Sequence, residues 1–201
     1  MKVLFVSDGI FHPPLLARQV LRKTLAELDG FEFRRIRSME ELPNNLQDYA
    51  AMVIYIHHKE ISQAALKALD EFVSKGGGIL GVHTATASFK QQPDYFEILG
   101  GRFTGHGPVE RFTIKPVANS DIFTGIPAFA VKDELYIHEL QPGIETHFTA
   151  THKGQEIPAV WTHHFGQGRV CYAVPGHRTA SLQNKTFQKV LQRGLAWVCG
   201  E

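Results

Sequence analysis

The chain has 201 residues, 43% of them hydrophobic, with 21 Lys and Arg against 20 Asp and Glu and a formal net charge of +1. That length suits one sizeable core and one domain over residues 1–201, and the balanced charge, with no run of basic residues, gives no footprint for nucleic acid. No run approaches the roughly 18 apolar residues that span a bilayer, and Met1-Lys2-Val3-Leu4-Phe5-Val6 reads as a buried strand rather than a signal segment.

Lys2 to Ser7 is the first predicted strand, ending at Asp8-Gly9. Pro13-Pro14 lead into a helix predicted from Leu15 to Asp29, with Leu15, Val20, Leu21, Leu25 and Leu28 at helical spacing and Gly30 as its left-handed stop. Phe31 to Ile36 alternates as a second strand. Ala50 to Ile56 is continuously apolar, as a central parallel strand covered on both faces must be. Ser62 is placed to cap a helix with Leu66, Leu69, Phe72 and Val73 on one stripe, closed by Gly76-Gly77-Gly78. Strands separated by helices predict a parallel, doubly wound sheet. After residue 100 short strands dominate: Phe112 to Ile114, Phe129 to Val131, His147 to Ala150, Pro158 to Trp161 and Arg169 to Val174, with Gly166-Gln167-Gly168 as a hairpin turn. Lys185 to Cys199 closes the chain as an amphipathic helix. The expected fold class is therefore α/β, a mostly parallel sheet with additional antiparallel strands in the second half.

Gly78-Ile79-Leu80 runs into Gly81-Val82-His83-Thr84-Ala85, a buried strand ending on Gly-x-X-x-small. This is the pattern of a nucleophile elbow, where a tight strand-to-helix turn lifts one side chain above the sheet edge between two small residues. The residue presented is His83, neither Ser nor Cys. A parallel sheet would gather Asp8, His12, His57, His58, His83 and His177 along its C-terminal edge, where such folds bind ligands. Gly100 to Pro108 reads as a glycine-dense loop carrying Arg102 and His106; it lacks the context and Lys of a phosphate loop. Asp133-Glu134-Leu135-Tyr136 places acids in an apolar stretch, which is costly unless they are paired or solvated; Asp133 reads as a surface turn and Glu134 as a site residue. His147 and His152 read as scatter, and His163 and His164 as structural residues near the opposite sheet edge.

His83, His177 and Glu134 are thus the candidate catalytic residues, and Asp8, His12, His57, Arg102, His106 and Tyr136 the candidates for substrate binding. Imidazole at the elbow can act as general base, general acid or metal ligand. A divalent metal such as zinc or manganese is the alternative, with His12, His83 and His177 as candidate ligands. A third reading is a sugar-binding or regulatory domain without chemistry, with Trp161, Phe89, Tyr95 and Tyr136 as a stacking face. Cys171 and Cys199 match no metal spacing, which makes a reducing cytoplasm the expected compartment.

In order along the chain, Gly76-Gly77-Gly78 with Gly81-Val82-His83-Thr84-Ala85, Leu99-Gly100-Gly101-Arg102-Phe103-Thr104-Gly105-His106, Asp133-Glu134-Leu135-Tyr136, Pro158-Ala159-Val160-Trp161-Thr162-His163, Gly166-Gln167-Gly168-Arg169-Val170 and Gly176-His177 resemble the trehalose-utilisation (ThuA-like) family of the class I glutamine amidotransferase-like superfamily. The resemblance covers nearly the whole chain. It implies a flavodoxin-like three-layer sandwich, a small-molecule sugar substrate and a link to the catabolism of trehalose or oxidised (3-keto) glycosides. Amidotransferases carry Cys at the elbow and a His after a late strand; here His83 takes the first place and His177 resembles the second, so amidotransferase activity is not expected. A homodimer is the prior for an enzyme of this size.

Overall fold

The computed structural model describes residues 1–9, 15–117 and 120–201. Four β-strands alternate with helices in the first half: β1 (Lys2–Val6), α1 (Leu15–Leu25), β2 (Glu32–Ile36), β3 (Ala51–Ile54), α2 (Gln63–Ser74), β4 (Gly78–Val82) and α3 (Pro93–Leu99). The second half is β5 (Gly101–His106), β6 (Glu110–Pro116), β7 (Phe129–Asp133), β8 (Tyr136–Leu140), β9 (Glu145–His152), β10 (Gln155–Phe165) and β11 (Gly168–Ala173), followed by α4 (Thr179–Leu182) and α5 (Lys185–Val198).

The main sheet has nine strands in the order β2-β1-β3-β4-β11-β10-β9-β6-β7. The first five are mutually parallel, in the 2-1-3-4-5 order of flavodoxin-like folds, and the remaining pairings are antiparallel. Burial explains the division. Every residue of β3 and β4 is buried, so their sequences are uninterrupted apolar runs, whereas β6 alternates buried Phe112 and Ile114 with exposed neighbours. α1 packs with α4 and α5 in one layer, and α2 packs with α3 in another. The chain is thus an α/β sandwich whose parallel half ends its strands at one edge.

Two expectations change. α1 ends at Leu25 rather than Asp29, and the chain passes through turns to Gly30, whose φ of +81° makes the left-handed stop. The Gly100–Pro108 segment is not a loop. Gly101–His106 is β5, paired antiparallel with β8 in a separate ribbon that packs on the elbow and on α3. Its strand character comes from a partner more than thirty positions away, and a bulge between Phe103 and Gly105 breaks the alternation a strand would show.

Helix ends follow local chemistry. Ser62 Oγ accepts the Ala65 amide at 3.1 Å and donates to Glu40 Oε2 at 2.6 Å, while Glu40 Oε1 takes the Ser62 amide at 2.8 Å. Asn184 Oδ1 accepts the Thr186 and Phe187 amides, both at 3.0 Å, and so starts α5. Ser62→Ala removes both a cap and the anchor to Glu40. It is expected to lower stability by about 1 kcal/mol, read as a lower urea midpoint at unchanged slope; an unchanged midpoint would show that the cap contributes nothing.

Candidate functional site

His83 directly follows β4 and opens a short 3-10 turn over residues 83–87. Its φ is +43°, an unusual backbone for a residue with a β-carbon. Three contacts hold it there. Tyr172 Oη donates to the His83 carbonyl at 2.7 Å, and Thr86 Oγ1 lies 2.8 Å from Tyr172 Oη and 2.9 Å from His138 Nε2. Because the Tyr172 proton is committed to the carbonyl, Thr86 donates to Tyr172 and His138 Nε2–H donates to Thr86. On the ring, His83 Nδ1–H donates to the Val174 carbonyl at 2.7 Å. A carbonyl only accepts, so in the neutral imidazole the lone pair is on Nε2. Gly81 leaves room for the turn: a β-carbon there would meet Tyr172 Cδ2 at 3.0 Å.

His83 Nε2 lies 3.8 Å from Glu134 Oε2, and His177 Nδ1 lies 3.2 Å from the same oxygen. The three groups offer ligand atoms that all lie within 4.8 Å of one another. His83 and His177 rings are 5.7 Å apart, and Tyr136 stacks on His83 at 3.8 Å with a tilt of 31°. Burial, then the charges of Glu134 and Asp133, hold the Tyr136 phenol above its ordinary range, so it stays neutral. His106 reaches the other carboxylate oxygen, with Nδ1 3.8 Å from Glu134 Oε1, and donates to the Gly107 carbonyl at 2.7 Å.

The cluster is assembled by Asp133. Expected as a surface turn, Asp133 is fully buried. Its Oδ1 accepts the amides of Glu134 at 2.8 Å and His177 at 3.1 Å, and its Oδ2 those of Gly176 at 2.9 Å and Arg178 at 3.5 Å. Burial pushes this carboxyl up, opposed by Ser181 and by the amides. Tyr55 Oη adds a bond to the Gly176 carbonyl at 2.5 Å. Gly176 has φ +154°, and a β-carbon there would sit 2.8 Å from His83 Cβ, so only glycine lets this loop pass the elbow.

The structure therefore brings His83, Glu134, His177, His106 and Tyr136 together. Asp8, at the end of β1, pairs with Arg35 at 3.5 Å. His57 lines a separate cavity of about 480 Å³ with Lys59, Glu60, Ala87, Lys90 and Gln91. His12 lies outside the described residues. Arg102 is a correction: it hydrogen-bonds Glu139 across the ribbon on exposed side chains, whereas its neighbour Phe103 turns to Tyr136 at 4.4 Å. Alternation along β5 puts the two on opposite faces. Phe89, Tyr95 and Trp161, offered as a stacking face, are buried core, with Tyr95 Oη donating to Ala85 O and Trp161 Nε1 to Leu99 O. His147, read as scatter, is fully buried between Ser120 Oγ and Thr162 Oγ1. His163 caps the end of α3 through Ile98 O at 2.8 Å. Thr86, Tyr172, His138 and Asp133 carry roles that sequence reading missed; only Asp133, an acid in an apolar stretch, left a local signal.

With the geometry in hand, comparison places the chain. Residues 2–198 match the profile of a family described as ThuA, trehalose utilisation. The chain belongs to the ThuA family. Among solved structures it is similar to a ThuA-like protein of Parabacteroides merdae (TM-score 0.86, 19% identity, covering 100% of this chain and 90% of that one). A ThuA-like protein of Bacteroides uniformis aligns with TM-score 0.80 and 17% identity over 98% of this chain and 90% of that one. A protein of Salmonella typhimurium aligns with TM-score 0.73 and 14% identity over 98% and 99%. At these identities the likeness is one of fold. No curated protein sequence matches the chain. Among the described residues no helix is long and apolar enough to cross a membrane.

Two outcomes follow for this ThuA-family chain. In Asp133→Asn one oxygen becomes a donor facing at least two backbone amides. We expect a loss of about 2–4 kcal/mol in urea unfolding; a loss below about 0.5 kcal/mol would show that the amide clamp is not needed. The second concerns acid. His138, walled by Trp161 and Tyr172 at 4.9 and 5.3 Å, has its pKa driven by burial from 6.5 to about 3. A base depressed on folding takes up more protons when unfolded, so this stability is complete above pH 6.5 and is lost as pH falls toward 3. At pH 5 the loss is about 2 kcal/mol, and buried His147 and half-buried His163, lowered in the same direction, add to it. His138→Gln, which keeps a donor for Thr86, should flatten the stability profile between pH 7 and 5; an unaltered slope would remove His138 as its source.

Proposed function

We propose that this ThuA-family protein is an enzyme of sugar metabolism that moves protons on a small carbonyl-bearing sugar, of the keto-sugar class. The observation that carries the reading is the convergence of two imidazoles on one carboxylate, with His83, Glu134 and His177 atoms within 4.8 Å. Family membership in trehalose utilisation supports the substrate class. Lack of a thiol or hydroxyl at the elbow argues against acyl transfer of the amidotransferase kind, and for acid–base work.

In this reading His83 Nε2 is the base. Its Nδ1–H bond to Val174 O orients the ring and keeps the lone pair on the inner nitrogen. It removes a proton from carbon next to the substrate carbonyl, and the electron pair moves onto the carbonyl oxygen as an enolate. In an isomerisation the enolate oxygen takes a proton, the adjacent hydroxyl gives one up to become the new carbonyl, and the former carbonyl carbon is protonated by the His177 imidazolium. In an elimination the enolate collapses, the glycosidic C–O bond breaks, and His177 protonates the departing oxygen. Glu134 stabilises whichever imidazole is charged, and His106 and Tyr136 wall the substrate. A cytoplasmic location accords with the Salmonella relative, which is described as a cytoplasmic protein.

A second reading has its own observation. Two His and one carboxylate with ligand atoms within 4.8 Å of one another form a set suited to Zn²⁺ or Mn²⁺, and the His83 Nδ1–H bond to a backbone carbonyl is the outer contact that metal-bound histidines make. A bound metal would polarise the substrate carbonyl. In that case His83, Glu134 and His177 would hold it.

The test is turnover of a panel of 3-keto-glycosides by the wild type and by His83→Ala, with elemental analysis of untagged protein grown in zinc- and manganese-supplemented medium. We expect turnover to fall by a factor on the order of 10²–10⁴ in the variant. Full turnover in His83→Ala would overturn the assignment. Stoichiometric metal lost in the variant would move the chemistry to the metal, and binding without turnover in the wild type would leave a sugar-binding domain.

A further inference from the structure

A second site is suggested on the far side of α1. Arg18, Arg22 and Lys23 from α1 and Arg35 from β2 line one cavity of about 490 Å³, together with Phe5, Leu15, Gln19 and Ala26. Among the described residues no acidic side chain lines it. These cations are separated along the chain and form no basic run, which is why the sequence shows no cluster; helical spacing puts Arg18 and Arg22, and Gln19 and Lys23, one turn apart.

Inside the protein this arrangement is only partly compensated. Arg18 stands in the first turn of α1, where the helix dipole opposes a cation, and that turn holds no acid. Arg18 and Arg22 are like charges at i,i+4. Arg18 donates Nη1–H to Gly9 O at 3.1 Å, and Arg35 donates to Ser7 O at 3.0 Å and pairs with Asp8 at 3.5 Å. The side chains of Arg22 and Lys23 make no hydrogen bond or ion pair among the described residues. Burial, then the charges of Arg35 and Arg37, hold the Arg18 guanidinium below its ordinary range, against Asp8. Arg22 and Lys23 stand in the last turn of α1, where the helix dipole favours cations, and their charged ends are left to meet an anion from outside the chain.

We propose that the α1–β2 cavity binds a phosphate monoester with a ring-sized apolar substituent, the guanidinium groups of Arg18, Arg22 and Arg35 taking the phosphate and Leu15 and Ala26 the substituent. Guanidinium forks match phosphate oxygens bidentately. The volume is in the range of small-molecule pockets and exceeds what a bare phosphate fills. This site is independent of the His83 cluster and of the reading of its chemistry.

The test is calorimetric titration of the full chain at low salt with phenyl phosphate and with inorganic phosphate. Phenyl phosphate should saturate the protein, bind at least tenfold tighter than phosphate, and weaken on adding sodium chloride. Arg22→Ala/Lys23→Ala should weaken it about tenfold or more without moving the melting temperature, because neither side chain holds the fold; Lys115→Ala, on β6, should leave it unchanged. Failure to saturate, or equal affinity in the double variant, would overturn the site. Equal affinity for the two probes would overturn the substituent pocket, and tighter binding of a single-stranded oligonucleotide than of phenyl phosphate would overturn the small-molecule assignment.

Discussion

One buried carboxylate ties the two halves of the site together. Asp133 ends β7 in the antiparallel half of the sheet, and the amides of Gly176, His177 and Arg178 follow β11 in the parallel half. Successive N–H groups turned toward one anion form a nest, and such donors offset the cost of burying its charge. The Glu134 amide joins the same carboxylate, so a single group positions both Glu134 and His177. His83 reaches the place from a third element, the end of β4.

The elbow is the second constraint. A positive φ at a non-glycine residue costs about 1–3 kcal/mol and persists only where the surroundings over-determine it. At His83 they do: Tyr172 secures its carbonyl, Val174 secures its ring, and Gly176 passes against its β-carbon. The strain and the tautomer are therefore set by one set of contacts. An elbow of this geometry can present a nucleophile; in this ThuA-family chain it presents a lone pair on Nε2.

Much of this was legible locally, and the reasons differ by residue. β3 and β4 were readable because both faces are covered, which demands unbroken apolar runs. Ser62 was readable as a cap because capping is a matter of three residues. The elbow was readable from Gly81 and Ala85, whose small size the turn requires. Asp133 was misread, since an acid before a turn has the same sequence whether water or four amides solvate it. β5 was misread because its partner β8 is distant in the chain, and the Arg102–Glu139 pair across that ribbon had no local signal.

The sequence by itself determined the parallel layer, the antiparallel second half, the ThuA resemblance and the presence of imidazole where a nucleophile would stand. These depend on short-range periodicity, glycine positions and residue identity, which neighbours in the chain express. Only the tertiary structure decided which histidines meet. His83, His106 and His177 converge on Glu134, while buried His147 turns to hydroxyls and half-buried His163 to a helix carbonyl. It also decided that four separated cations share one cavity. Both outcomes rest on contacts between distant segments, where a few ångströms separate a reacting group from a structural one.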